Sequence, residues 1–335
     1  MAIRASQLMR AAAIDRFGGP EELTIHTLPV PEIAPNEVLI AVHTAGVGGW
    51  DADMRGGWWP EGRPRFPVVL GTDGSGRVAA VGSRVRRLRV NDKVCGYSFN
   101  NPRGGFYAEY VAVPAANAFP VPERLDMKQA GAIPATGLTA LQGVDDALRM
   151  RAGEALIVHG ASGGVGTLAA QFAKARGARV LAIASGQDGV ALVRRLGADI
   201  AIDGRTESVI AAAREFAPHG VDAVLAFAGG AELAECLDVL RPGGRVAYPN
   251  GVEPMPRKRG RMELIAYDAV PGVAELRRLN RAVERAALKV PIAAVYKLEE
   301  ACEAHKRLAA GHVLGKIVLK LRYAIAADRF LQTGS

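Results

Sequence analysis

One segment constrains this chain more than any other. The apolar run Ala155-Leu-Ile-Val-His159 enters Gly160-Ala-Ser-Gly-Gly-Val-Gly166, and an alanine-rich helical pattern runs on from Gly164 to Arg176. Strand, glycine turn and helix in that order match a dinucleotide-binding turn, with Ala161, Gly163 and Gly166 in the three slots of Gly-x-Gly-x-x-Gly. Gly163 lets the backbone approach a pyrophosphate, Gly166 lets helix and strand pack closely, and the helix N-terminus offers free N–H groups to anionic oxygens. Gly160, Ala161, Ser162, Gly163, Gly164, Val165 and Gly166 are therefore the candidate cofactor contacts.

The second apolar run, Arg179 to Ala184, ends in Ser185-Gly186-Gln187. An Asp or Glu at this tip accepts hydrogen bonds from the ribose 2′-hydroxyl of NAD. Ala184 holds that position, so nothing there repels a 2′-phosphate, and Ser185 and the amide of Gly186 are placed to bind one. This favours NADPH over NADH, while Asp188 and Asp203 argue for NADH if they turn inward.

Further along, strand and helix patterns alternate through Asp222–Phe227, Glu232–Leu240 and Arg245–Tyr248, which reads as a doubly wound parallel sheet of the α/β class. Up to about residue 122 the texture differs: short β-like runs such as Val38–His43, Arg77–Val81, Asp92–Gly96 and Ala108–Val113 sit among glycine and proline. A length of 335 residues allows about two domains. The expected division is a β-rich domain from residues 1–128 and 271–335, and a nucleotide-binding domain from 129–270. Met9 would also serve as a start, which makes residues 1–8 and the tail after Tyr323 expected appendages.

Composition excludes several classes. Three cysteines, far apart and in no Cys-x-x-Cys spacing, build neither a disulfide framework nor a four-thiolate zinc site. No run approaches the roughly 18 apolar residues of a membrane span, and the N-terminus is charged where a signal peptide is apolar, so a cytoplasmic chain is expected. A net charge of +8 arises from arginine groups at 84–89, 257–261 and 277–285, which read as solvated faces rather than a nucleic-acid surface.

Five stretches also carry a family resemblance: Pro67–Val78, Gly104–Val111, Ile133–Ala140, His159–Gly166 and Ala304–Leu319. On these the chain, from about residue 9 to 322, resembles the zinc-independent, zeta-crystallin-like quinone oxidoreductases of the medium-chain dehydrogenase/reductase superfamily. The resemblance implies a GroES-like (chaperonin-10-like) catalytic domain built from both ends of the chain, a central Rossmann domain, and a cleft between them. It places Thr136 near the nicotinamide and the Tyr248-Pro-Asn250-Gly251 loop beside the cofactor. Zinc-dependent relatives carry Cys and His ligands where this chain has Ala45 and Thr72, so no metal is expected; His43 and Cys95 read as packing residues. The sequence also departs from its relatives. Gly48 and Asp53 replace the usual Asn and Tyr, while Asp51, Arg55 and Gly57 keep the local pattern. The relatives' 2′-phosphate Lys and Tyr fall on Gly189 and Gly204, with Arg205 adjacent as a substitute.

Without a metal there is no Lewis acid to ionise an alcohol, whereas a quinone or enone accepts hydride directly if held close and aligned. Trp50, Trp58 and Trp59 suit a planar substrate by stacking, with core cover as the alternative role. Water supplies the proton, assisted by Tyr97 or Asp51. The expected activity is NADPH-dependent reduction of quinones or activated alkenes; a reductase of one unsaturated acid or thioester, or a low-turnover NADPH-binding structural protein, are the alternatives. Met262–Tyr267 reads as an unpaired edge strand, which predicts a homodimer.

Overall fold

Short apolar runs separated by turn residues become the strands of a β-rich first unit. The computed structural model describes residues 7–59, 62, 64–99, 101 and 103–321. Unit 1 comprises residues 1–134, 294–311 and 317–335, and unit 2 comprises 135–293 and 312–316.

In unit 1, β1 (Leu8–Ile14) pairs with β2 (Thr24–Pro29), Leu8 opposite Pro29, and at its far end with Val68 and Val69. The long β3 (Glu37–Val47) leads into α1 (Gly49–Gly56), β4 (Val68–Val69), β5 (Asp73–Val81), β6 (Lys93–Tyr97), β7 (Tyr110–Pro114), β8 (Ala118–Pro120) and α2 (Met127–Ala130). β3 is the central strand, antiparallel to β5 and β7. Leu8 already lies in β1 and the Gln7 carbonyl accepts from the Val30 N–H at 2.8 Å, so both residues are tied to the β-rich unit rather than appended to it. Residues 1–6 and 322–335 lie outside the described residues.

α1 is absent from the sequence pattern because glycine and aspartate dominate it. Its first turn is held by its own third residue: Asp51 Oδ2 accepts the Gly48 N–H at 2.9 Å. Gly57, in the left-handed region at φ 111°, ends it.

Unit 2 opens with α3 (Pro134–Gln142) and continues as β9 (Ala155–His159), α4 (Gly166–Ala175), β10 (Arg179–Ala184), α5 (Gly186–Arg195), β11 (Ile200–Asp203), α6 (Val209–Phe216), β12 (Val221–Ala226), α7 (Ala231–Asp238), β13 (Leu240–Pro249), β14 (Glu263–Tyr267) and α8 (Val273–Arg285). The sheet order is β11-β10-β9-β12-β13-β14, and every pairing is parallel. This is the doubly wound sheet expected from the alternation. β9 is buried along its whole length, as a strand covered on both faces requires. β13 starts at Leu240 rather than Arg245, because the added residues Arg241 to Gly243 are exposed and leave no periodic signal.

After α8 the chain forms β15 (Ile292–Lys297), α9 (Ala301–Ala309) and β16 (Lys316–Lys320). β16 pairs with β3, so the sheet reads β15-β16-β3-β5-β6-β8 with β7 also on β3. The division differs from the one expected at residue 271, because α8 belongs to unit 2. Its apolar face of Leu276, Leu279 and Val283 is buried, Arg278 binds Asp146 with contacts of 2.5 and 2.9 Å, and Gln171 bonds both the N–H and the carbonyl of Lys289. No helix among the described residues is long and apolar enough to cross a membrane.

The first unit holds a buried polar chain. His305 of α9 lies 3.1 Å from the Tyr107 hydroxyl, which bonds in turn to Asp51. That order assigns the hydroxyl proton to Asp51 and the imidazole proton to Nε2. Burial, with the Arg55 charge nearby, lowers the His305 pKa from 6.5 to about 3. The unfolded chain therefore binds one proton more than the folded one between these values, and stability must fall as pH drops through that window. The expected loss is on the order of 5 kcal/mol by linkage. Urea titrations at stepped pH should show a flatter stability profile for His305→Gln than for the wild type; equal slopes would refute the assignment.

Candidate functional site

The glycine turn of unit 2 is shaped by close backbone approach. Gly160, at φ 75°, leaves β9, and the Ala161 N–H donates to the Ile183 carbonyl at 3.0 Å, tying the turn to the end of β10. A Cβ at Gly166 would lie 2.2 Å from the Gly160 carbonyl oxygen and 2.7 Å from Ala161 Cα, so only glycine starts α4 here. At Gly163 the nearest atom to an added Cβ is the Gly160 oxygen at 3.4 Å. That side of the turn is open, as a polyphosphate needs. Val165 is the residue before the helix. Sheet order reverses between β9 and β12, and the crevice outside the C-terminal ends of such strands is where α/β folds bind ligands.

The far C-terminal segment completes the turn. Gly315 bridges to Gly163 and donates its N–H to the Ser162 carbonyl at 3.0 Å, and a Cβ at Gly164 would lie 2.8 Å from Lys316 Cδ. His159, buried and pushed to lower pKa by that burial, stays neutral directly before the turn.

At the tip of β10, Ala184 pairs in register with Asp203 of β11. The Asp203 carboxylate accepts backbone N–H groups of Gly186 and Arg205, bonds that hold its pKa low. Asp188 Oδ2 lies 3.0 Å from His312 Nε2, and its pKa is lowered first by that bond and then by the Gly189 N–H. Both acids that argued for NADH are thus engaged by neighbouring protein groups. The Ser185 hydroxyl lies 3.0 Å from His312 Nδ1. His312 carries no expectation in the sequence reading although its stretch contributes to the resemblance; only a long-range contact reveals it. Arg205 is exposed beyond β11, Thr136 is buried in the first turn of α3, and Gly251 takes φ 92° after β13. The Asn250 amide donates to Asp268 at 2.7 Å. The described bonds therefore join Gly160–Gly166 to the end of β10 and to residues 312–316, while Thr136, Arg205, Asn250 and Gly251 stand on other elements of the same unit.

In unit 1 the structure gathers three of the expected aromatic residues around one that was missed. Trp50 lies 5.2 Å from Trp58 and 5.3 Å from Phe99, and Phe99 lies 6.4 Å from Tyr97, measured between ring centroids. Trp58 is 46% exposed, so this aromatic group presents a ring to solvent. Phe99 lies two residues beyond Tyr97, a spacing that puts both on one side of an extended segment. Trp59 is half-buried.

Asp51 sits in a dense set of bonds. Its carboxylate is buried and accepts the Thr72 N–H and hydroxyl at 2.8 Å each, besides the Gly48 N–H. The Thr72 bonds tie α1 to the loop before β5, and the Tyr107 hydroxyl adds a further bond to the same carboxylate.

The same bonds bear on zinc. Ala45 offers a methyl group, Thr72 spends its hydroxyl on Asp51, Cys95 is wholly buried with its thiol pushed well up in pKa, and His43 bonds the Thr44 hydroxyl at 2.7 Å. This donor set does not fit a catalytic zinc. Among the described residues no group of three or more His, Cys, Asp or Glu could hold a metal ion.

Comparison with known proteins agrees with this architecture. Residues 34–123 match the family model of the alcohol dehydrogenase GroES-like domain, and residues 196–319 match that of zinc-binding dehydrogenases. The quinone oxidoreductase of Rattus norvegicus is 32% identical over 328 residues, covering 94% of this chain and 98% of the relative. A solved structure described as an NAD-dependent alcohol dehydrogenase superposes with TM-score 0.87 at 32% identity, covering 94% of this chain and 100% of the other. A mycobacterial protein solved in complex with NADPH gives TM-score 0.83 at 28% identity, covering 93% and 99%. With a GroES-like β unit, a parallel Rossmann sheet carrying its glycine turn, and full-length kinship of this degree, the chain belongs to the quinone oxidoreductase family of the medium-chain dehydrogenase/reductase superfamily and is a nicotinamide-dependent oxidoreductase.

Proposed function

We propose that this chain is an NADPH-dependent, metal-independent reductase that delivers hydride to quinones or activated alkenes. The observation that carries the reading is the exposed Trp58 ring, backed by Trp50 and Phe99 packed against it: a large, supported aromatic surface on which a flat conjugated ring can stack. When bound, the nicotinamide supplies the hydride. The chain's task is to bind the cofactor on the glycine turn, hold the acceptor flat and aligned, and exclude competing water. A quinone or enone spreads the incoming charge through its own π-system, so Ala45 and Thr72 in the two ligand positions cost this chemistry nothing. With Asp51 committed to α1, bulk water is the proton source, and Tyr97 is the remaining side-chain candidate.

NADPH is preferred because Ala184 leaves the ribose-binding acid position empty and both nearby carboxylates are engaged. β14 stands at the edge of the Rossmann sheet, and pairing of that edge with its copy would give a closed two-fold dimer.

Stopped-flow oxidation of NADPH against a panel of quinones, enones, acyl thioesters and simple carbonyls tests the activity. The expected result is turnover of quinones and enones, unchanged after prolonged chelation. Turnover of a single thioester, or loss on chelation restored by zinc, would overturn it. Ala184→Asp should shift relative affinity toward NADH by about 1–3 kcal/mol through like-charge repulsion of the 2′-phosphate; unchanged preference would count against the site assignment. Light scattering should give twice the chain mass at micromolar concentration, with Ile265→Pro weakening the association; a monomer would refute the edge-pairing proposal.

A further inference from the structure

Tyr267, the last residue of β14, is held at both of its polar ends. Its hydroxyl donates to the Thr139 carbonyl of α3 at 2.9 Å, and its own carbonyl accepts the Asn250 N–H at 3.2 Å. Around it the chain makes a strap. The Asn250 side chain donates to Asp268 at 2.7 Å, and the amide of Gln142, at the end of α3, bonds both the N–H and the carbonyl of Val270 at 2.9 Å each. Residues 267–270 thus join α3 on one side to the loop after β13 on the other, all within the second unit.

The phenol is fitted to α3. A Cβ at Gly143 would fall on the Tyr267 hydroxyl, so the residue that follows α3 is glycine because the end of the ring occupies that space. There α3 gives way to a π turn, Gly143–Ala147, closed by the Leu148 N–H on the Gly143 carbonyl at 3.0 Å. Single π turns inside helices are frequent at functional sites. Burial pushes the phenol well up in pKa, so the hydroxyl keeps its proton and donates.

The strap stands at the C-terminal end of the sheet. Pro249 and Tyr267 pair in register as the last residues of parallel β13 and β14, and α/β folds bind ligands outside strand ends of this kind. The glycine turn and the tip of β10 serve one half of a dinucleotide, and the other half lies across the switch point between β9 and β12, on the side of β13. We propose that Tyr267 is a positioning residue for the nicotinamide end of the cofactor: its hydroxyl sets α3, which carries Thr136, and its carbonyl sets Asn250 and Gly251. The groups expected beside the nicotinamide then move as one body. The inference rests on the nicotinamide-dependent reduction proposed above. Three helical residues are about 4.5 Å of rise, so a tether at Thr139 is short enough to fix Thr136. A displacement of about 1 Å at a reacting centre can cost on the order of a hundredfold in rate, so a tether that adds little affinity still governs the chemical step.

Tyr267→Phe removes the hydroxyl and keeps the ring. Two measurements read its effect without turnover: the fluorescence lifetime of bound NADPH, which reports the surroundings of the nicotinamide, and the affinity for adenosine 2′,5′-bisphosphate, which fills only the adenosine half. The lifetime should move toward that of free NADPH, while the affinity stays within about twofold. In single-turnover mixing with a quinone the hydride step should slow about tenfold, the size of one hydrogen bond, and the isotope effect of NADPH deuterated at C4 should rise. Gln142→Met cuts the two Val270 bonds of the strap and should act in the same direction, which keeps the test decisive where one variant folds poorly. An unchanged lifetime and hydride step in both variants overturn the inference and leave the proposed function standing. Parallel losses of adenosine 2′,5′-bisphosphate affinity, hydride rate and melting temperature mark a merely structural role and also overturn it. A wild type that binds NADPH and oxidises it with no acceptor overturns the proposed function, and a lifetime displaced in Tyr267→Phe still upholds the positioning role.

Discussion

The rest of the second unit depends on Gly166 lying against Gly160 and Ala161. With no Cβ at that position, α4 starts within contact distance of the backbone that leaves β9. Because β9 is the central strand, flanked by β10 and β12, fixing the turn on it fixes the turn relative to the ends of both neighbours. The Ala161 bond to Ile183 and the pairing of Ala226 with His159 are the two sides of that arrangement. A methyl group at residue 166 would push helix and strand apart and move every group arranged around the turn.

Much of this was legible in the sequence where the signal is local. The buried run Ala155–His159 has no polar interruption, and a strand covered on both faces requires that. The glycine spacing after it is likewise local. α1 was not legible, since Gly49, Asp51 and Gly56 are poor helix formers and the helix depends on Asp51 bonding back to Gly48 and across to Thr72. Its tertiary bonds override its propensity. The bonds of Asp51 were hidden for the same reason: a carboxylate in a substrate loop and one in a buried anchor look alike until its partners are known. Phe99 and His312 were missed because each gains its place only from residues remote in sequence or hidden behind a turn.

The arginine groups illustrate how little formal charge says about surface function. Arg86 donates to the carbonyls of Ser83 and Val85, Arg87 to that of Ala118, Arg259 binds Asp238, and Arg278 binds Asp146. These cations are spent on local loops and neighbouring carboxylates, each contributing modestly where exposed.

The return of residues 312–316 to the glycine turn has a consequence for the order in which the protein is made. Gly163 leaves the ribosome about 150 residues before Gly315, a delay of roughly 8 to 30 s at about 5–20 residues per second. Throughout that interval the Rossmann strands can pair, yet the Ser162 carbonyl lacks the Gly315 amide and Gly164 lacks the Lys316 side chain that covers it. A nascent chain therefore carries a recognisable dinucleotide turn long before Gly315 and Lys316 arrive to finish it.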